Sequence, residues 1–164
     1  MSDEVRPMAD SDEAAIGQPG GPGLVLYDGD CVLCSSWFRF VAKRDQARRL
    51  MFTTIQSEFG RAVALRLGID PMNPQSNAVI IDGNAYLFSD SALAALSALP
   101  YWKWVWALHV VPRTLRDPIY SLVARNRYRW FGRHTQCDMG GPDYRDHVVS
   151  ICTQILPSGN SKAD

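Results

Sequence analysis

The sequence lacks any apolar run near the roughly 20 residues that a membrane-spanning helix needs; the longest, Trp104 to Val111, is broken by His109. The start of the chain has no positive region followed by an apolar core, so no secretory signal is expected. Residues 1–13 instead hold Asp3, Glu4, Asp10, Asp12 and Glu13 against a single Arg6, an acidity that argues against a mitochondrial transit peptide. The expected localisation is cytoplasmic. A dominant charge is missing too, with 17 basic and 17 acidic residues. Setting the acidic tail aside leaves 16 basic against 12 acidic, a bias too mild to predict nucleic-acid binding. Cysteine is scarce at four in 164 residues, and where thiols are kept reduced, cysteines at short spacing read as catalytic or metal-binding.

What is present suits one domain, with 46% hydrophobic residues available for a core. Residues 1–23 are acidic and rich in Gly and Pro and are expected to form a disordered tail; residues 157–164 are expected to form a flexible one. Between them, over 24–156, the pattern predicts a single domain. Leu24-Val25-Leu26-Tyr27 reads as a strand buried on both faces. A helix follows from Cys31 to about Gln46, with Leu33, Trp37, Phe38 and Val41 on its apolar face. Leu50–Ile55 reads as a second strand, and Ser57 as the cap of a helix that Gly68 closes. Two strands joined at a tight Asp82-Gly83 or Gly83-Asn84 turn form a hairpin, and Ser89 or Asp90 caps a short helix over 92–99. The order is β-α-β-α-β-β-α: an α/β fold with a mixed four-stranded sheet. From about residue 100 a helical extension is expected, including a helix that Asp117 and Pro118 start and Gly132 ends.

The chemistry centres on Cys31-Val32-Leu33-Cys34. A Cys-x-x-Cys spacing alone serves zinc, disulfides or chance, but here it falls where a buried strand meets an amphipathic helix. Unpaired N–H groups at a helix start favour a thiolate, so Cys31 is expected to be the more acidic and more exposed thiol and to attack. Cys34, one turn further in, is expected to resolve the mixed disulfide. Asp28 and Asp30 read as turn or cap residues; the sharper reading has Asp28 exchange the proton of Cys34. Zinc ligation and simple packing compete with the redox reading.

Leu26-Tyr27-Asp28-Gly29-Asp30-Cys31-x-x-Cys34 resembles the D-x-x-C-x-x-C signature of the DCC family of thiol-disulfide oxidoreductases. The likeness extends through Gln56-Ser57-Glu58-Phe59-Gly60-Arg61, Ser89-Asp90-Ser91-Ala92 and the stretch from Val123 to Arg133, covering about residues 24–137. The resemblance implies a thioredoxin-like fold and dithiol–disulfide exchange by Cys31 and Cys34; no bound cofactor is expected, and a metal-binding module is the alternative. The implied partner is a disulfide-bearing protein or a small thiol. Thioredoxins proper carry a proline just before the hairpin strand, where this chain has Ser76-Asn77-Ala78.

Four features stand outside that reading. His134 and Cys137 could complete a Cys₃His metal set with the dithiol, and Cys137 could also be a third redox thiol or a packed residue. Cys152 reads as a small core residue. Arg113, Arg116, Arg125, Arg127, Arg129 and Arg133 read as a solvated helix face, with a site for an anionic partner as the alternative. Trp102, Trp104 and Trp106 are expected to pack a helix against the sheet, a membrane interface being the competing reading.

Overall fold

The computed structural model describes residues 16–135 and 147–150. The first and last tails, Cys137 and Cys152 lie largely or wholly outside these residues. Five strands form one sheet in the order β4-β3-β1-β2-β5, from β1 (Gly23–Tyr27), β2 (Leu50–Thr54), β3 (Ala78–Ile81), β4 (Asn84–Leu87) and β5 (Val148–Ser150). β1 pairs parallel with β2 and antiparallel with β3, and β3 pairs antiparallel with β4. This is the mixed thioredoxin-like core expected from the element order. β5 adds a fifth strand, parallel to β2, within a stretch expected to be helical. A run as short as Val148–Ser150 carries too little periodicity to separate strand from helix.

β1 is apolar throughout because both of its faces are covered. On one face lies α1 (Val32–Arg44), whose Phe38 stacks on Tyr27 at 4.8 Å between centroids and meets Phe52 edge-on at 4.7 Å. On the other lies α2 (Glu58–Arg66), which Ser57 caps as expected, its hydroxyl accepting the Gly60 N–H at 2.9 Å. Gly60 lets α2 close onto the sheet: a Cβ there would stand 1.9 Å from the Thr54 carbonyl oxygen.

The order begins earlier than the expected boundary at residue 24. Ile16 is buried against Leu24 and Met51, and the Gly83 N–H donates to the Gly17 carbonyl. One isoleucine among glycines and prolines is enough to fasten these turns to the hairpin. α3 spans Phe88–Ser97, starting before Ser89 and Asp90. Its first N–H is taken by the Ser76 hydroxyl at 2.6 Å, which frees Asp90 for ion pairs with Arg113 (2.6 Å) and Arg116 (2.8 Å).

Residues Lys103–Val110 form a 3-10 helix. With three residues per turn, Trp102 and Val105 fall on one side, and Trp102 packs edge-on against Phe40 at 5.6 Å. Trp104 and Trp106 point outward, contrary to the packing expected of all three. α4 (Arg113–Phe131) starts after Pro112, one turn before Asp117 and Pro118. Asp90 anchors that extra turn through Arg113 and Arg116, while Asp117 accepts from the Ser89 hydroxyl at 2.5 Å. Among the described residues no helix is long and apolar enough to cross a membrane.

Candidate functional site

Cys31 is itself the N-cap of α1. Its backbone is extended (φ −89°, ψ 119°) and its Sγ accepts the Cys34 N–H at 3.3 Å, so a sulfur takes the place that a serine or aspartate oxygen has at other helix starts. A thiolate is the better acceptor. The Cys31 thiol is lowered from the ordinary 9.0 to about 7, chiefly by hydrogen bonding from the Cys34 thiol, with further help from the Cys34 N–H and the Arg127 guanidinium. Burial and the Asp28 charge work against this. Cys34 is pushed in the opposite direction by the same shared hydrogen bond and by burial. The first proton lost from the pair therefore leaves the charge on Cys31.

Exposure runs against the expectation. Cys31 is 0% exposed and Cys34 5%. The cause is the chain after α4: Gly132, at φ +87°, turns the backbone so that Arg133 pairs antiparallel with Cys31 and the His134 N–H reaches the Asp30 carbonyl at 2.9 Å. Cys34 instead borders a mostly apolar cleft of about 160 Å³, lined also by Leu33, Trp37, Asn77, Tyr120 and Arg127. Asn77 belongs to the segment standing where thioredoxins have proline. Its N–H donates to the Tyr120 hydroxyl at 3.1 Å, which ties the approach to β3 to α4.

Asp28, at the end of β1, is fully buried with both oxygens engaged. Oδ2 accepts from Arg127 Nη2 at 2.8 Å and from the Tyr128 hydroxyl; Oδ1 accepts from Gln56 Nε2 at 2.8 Å and from the Asp30 N–H at 3.0 Å. Gln56 Oε1 takes the Gly29 N–H at 3.0 Å, so one side chain orients both the carboxylate and the loop before the dithiol. Arg127 Nη2 also faces the Pro74 carbonyl at 2.8 Å and the Tyr128 hydroxyl at 3.0 Å. The Arg133 guanidinium lies over the Tyr128 ring at 3.9 Å. Burial raises the Tyr128 hydroxyl, reinforced by its hydrogen bond to Asp28. Burial likewise raises the Asp30 carboxyl, and Asp28 adds to the effect.

The structure thus brings Cys31, Cys34 and Asp28 together and adds Gln56, Tyr128 and Arg127; Arg127, expected on a solvated helix face, is instead buried because its guanidinium pairs with the Asp28 carboxylate. Each lies in a stretch that resembles the DCC family, and that was the available signal. His134 reaches the site through its backbone, while Cys137 lies outside the described residues. Among the described residues no cluster of three or more His, Cys, Asp or Glu side chains could hold a metal.

A pH titration follows from the Cys31 value. Thiolate absorbance and alkylation rate of the reduced protein are expected to rise with a midpoint of about 7, leaving only about 1% thiolate at pH 5. A midpoint near 9 would remove the proposed activation. Between pH 7 and 9 the unfolded chain binds the proton that folded Cys31 has lost, so this group makes stability increase with pH across that window. Above the ordinary thiol value the raised Cys34 acts in the opposite sense.

Residues 25–133 match the family model described as DCC1-like thiol-disulfide oxidoreductase. The uncharacterized protein YuxK of Bacillus subtilis (strain 168) is 33% identical over 127 residues, covering 77% of this chain and 93% of its own. A chloroplastic DCC family protein of Arabidopsis thaliana is 33% identical over 118 residues, covering 71% of this chain and 69% of its own. No solved structure matches the chain. The matched span opens in β1 and ends at Arg133, the residue that pairs with Cys31, so it encloses the dithiol, Asp28, Gln56, Arg127 and Tyr128. The chain belongs to the DCC1-like thiol-disulfide oxidoreductase family.

Proposed function

We propose that this protein exchanges disulfides through Cys31 and Cys34, acting in the cytoplasm on a disulfide-bearing protein or small thiol. The observation that carries the reading is the Cys31 sulfur serving as helix cap, with its thiol lowered to about 7 beside a second thiol that borders a cleft. In the reducing direction the Cys31 thiolate attacks one sulfur of the substrate disulfide. The substrate S–S bond breaks, its other sulfur leaves as a thiolate and takes a proton, and a mixed disulfide remains on Cys31. Cys34 then gives its proton to Asp28 and attacks the Cys31 sulfur. The second substrate thiolate leaves, taking up that proton, and a Cys31–Cys34 disulfide is left behind. Two electrons and two protons have passed to the substrate, and the reverse sequence oxidises a dithiol.

Two observations shape the details. Cys31 lies beneath the backbone of Gly132–His134, so attack on a bulky substrate requires that segment to lift. The apolar lining beside Cys34 favours substrates with an apolar group next to the reacting sulfur.

Mass spectrometry across a glutathione redox series tests the reading. The peptide carrying both cysteines is expected to lose two hydrogens reversibly on oxidation. Stoichiometric zinc that shields these thiols from alkylation would overturn it in favour of a metal site.

A further inference from the structure

Among the described residues, all the exposed large apolar side chains except Leu65 and Met72 fall within residues 101–131. They do not follow the cleft. On α4, Leu115, Ile119 and Leu122 stand at i, i+4 and i+7, which puts them in one exposed stripe that Trp130 continues, while Tyr120 and Arg127 lie further round the helix on its packed side. Ile119 is 65% exposed and Leu122 56%. On the 3-10 helix, Trp104 is 64% exposed and Trp106 48%.

Both helices are anchored on Asp90 of α3, so their outward-facing residues are held in fixed relative positions. Asp90 accepts from Arg113 at 2.6 Å and Arg116 at 2.8 Å and lies 3.5 Å from His109 Nε2, while Arg116 Nε donates to the Val111 carbonyl at 2.8 Å. Charge surrounds the stripe with one sign. Arg125 and Arg129 project on its flank, and Lys103 is exposed near the tryptophans. The sole acid of residues 101–133 is Asp117, which is engaged by Ser89.

We infer that the outer face of the 3-10 helix and α4 docks on the surface of an anionic lipid bilayer. An apolar stripe with tryptophan beside it and arginine along its flank is the arrangement of a helix lying in the headgroup region. The indoles and aliphatic side chains enter the acyl boundary, and the guanidinium groups meet lipid phosphates. A second copy of the chain fits this face poorly. Symmetric docking would bring together two faces of the same positive sign, whose only acid, Asp117, is already engaged by Ser89. Docking leaves the dithiol chemistry unchanged, because Cys31, Cys34 and Asp28 contribute nothing to the outer face.

The full chain mixed with phosphatidylcholine vesicles, with or without phosphatidylglycerol, tests this. Wild type is expected to sediment with the anionic vesicles and not the neutral ones, with a blue shift of tryptophan fluorescence and a loss of binding as salt rises. Ile119→Glu is expected to lower partitioning by about tenfold or more. Arg125→Ala combined with Arg129→Ala is expected to lower it by roughly fivefold for each charge removed. The thiol titration should be unchanged in each variant, showing that the fold is intact. Should Ile119→Glu fail to fold, Trp104→Gln reads the same face from the 3-10 helix. Equal partitioning onto neutral and anionic vesicles, or none onto either, overturns the inference. So does a dimer seen by sedimentation that Ile119→Glu disperses while vesicles stay unbound, since the occupant is then a second copy.

Discussion

Arg127→Met is expected to destabilise the fold by about 3–5 kcal/mol, the range found when one partner of a buried ion pair is removed. Arg127 is 2% exposed and Asp28 0%. Methionine matches much of the arginine stem, so the change is mainly a loss of the guanidinium and of its bonds to Asp28, the Pro74 carbonyl and the Tyr128 hydroxyl. Asp28 would keep Gln56 and Tyr128 as donors but no cation. In a domain of this size the loss corresponds to a fall in Tm of roughly 6–20 °C. Urea denaturation of Arg127→Met, Asp28→Asn and the double variant checks the cause. Neutral asparagine needs no counter-charge, so the double variant should be more stable than the sum of the two losses implies. Strict additivity would mean that the pair does not act as a unit. A second readout comes from Cys31: without the Arg127 charge its thiol should rise, and the titration midpoint should move upward from about 7.

The largest kinetic effects are expected at the resolving step. With Cys34→Ser, the mixed disulfide on Cys31 has no intramolecular thiol to displace it and should accumulate, as read by gel shift or mass spectrometry. Cys31→Ser removes the acidic thiol and should trap little. Equal trapping by both variants would overturn these roles, and stronger trapping on Cys34 would make the cleft-facing sulfur the point of entry. For Asp28→Asn, if Asp28 takes the Cys34 proton, resolution should slow within the range of about 10²–10⁴-fold typical of general acid–base groups. Attack by Cys31 should not fall with it, because the Asp28 charge opposes the Cys31 thiolate. Resolution within about twofold of wild type would leave Asp28 an organiser of Arg127, Tyr128 and Gln56 alone.

The sheet was readable in the sequence because its elements announce themselves locally. The unbroken Leu24–Tyr27, the Ser57 cap and the Asp82-Gly83 turn each depend on neighbours within a few positions. The placement of the dithiol at a helix start was readable for the same reason. Arg127 was not, since periodicity sorts α4 into faces without saying which face meets the sheet, and its partner Asp28 lies 99 positions away. Cys31 was misjudged as exposed because its cover comes from Arg133 and His134, whose approach no local pattern near residue 31 encodes. The boundary of α4 shifted because tertiary ion pairs to Asp90 outweighed a proline within the helix. Trp104 and Trp106 were misplaced for a related reason: the pattern was read as an ordinary packed helix, whereas a 3-10 turn sends them outward.

The span between Asp28 and its partners on α4 also sets a clock during synthesis. Asp28 and the two cysteines leave the ribosome about 100 residues before Arg127 and Tyr128, and longer still before Arg133. At about 5–20 residues per second, the nascent thiols spend roughly 5–20 s with neither their cation nor their cover. During that interval Cys31 lacks the Arg127 contribution to its acidity, and its sulfur is open to whatever oxidant or foreign thiol is nearby. The redox poise of the surroundings therefore acts on this motif first as an unfolded segment, and only afterwards as a site.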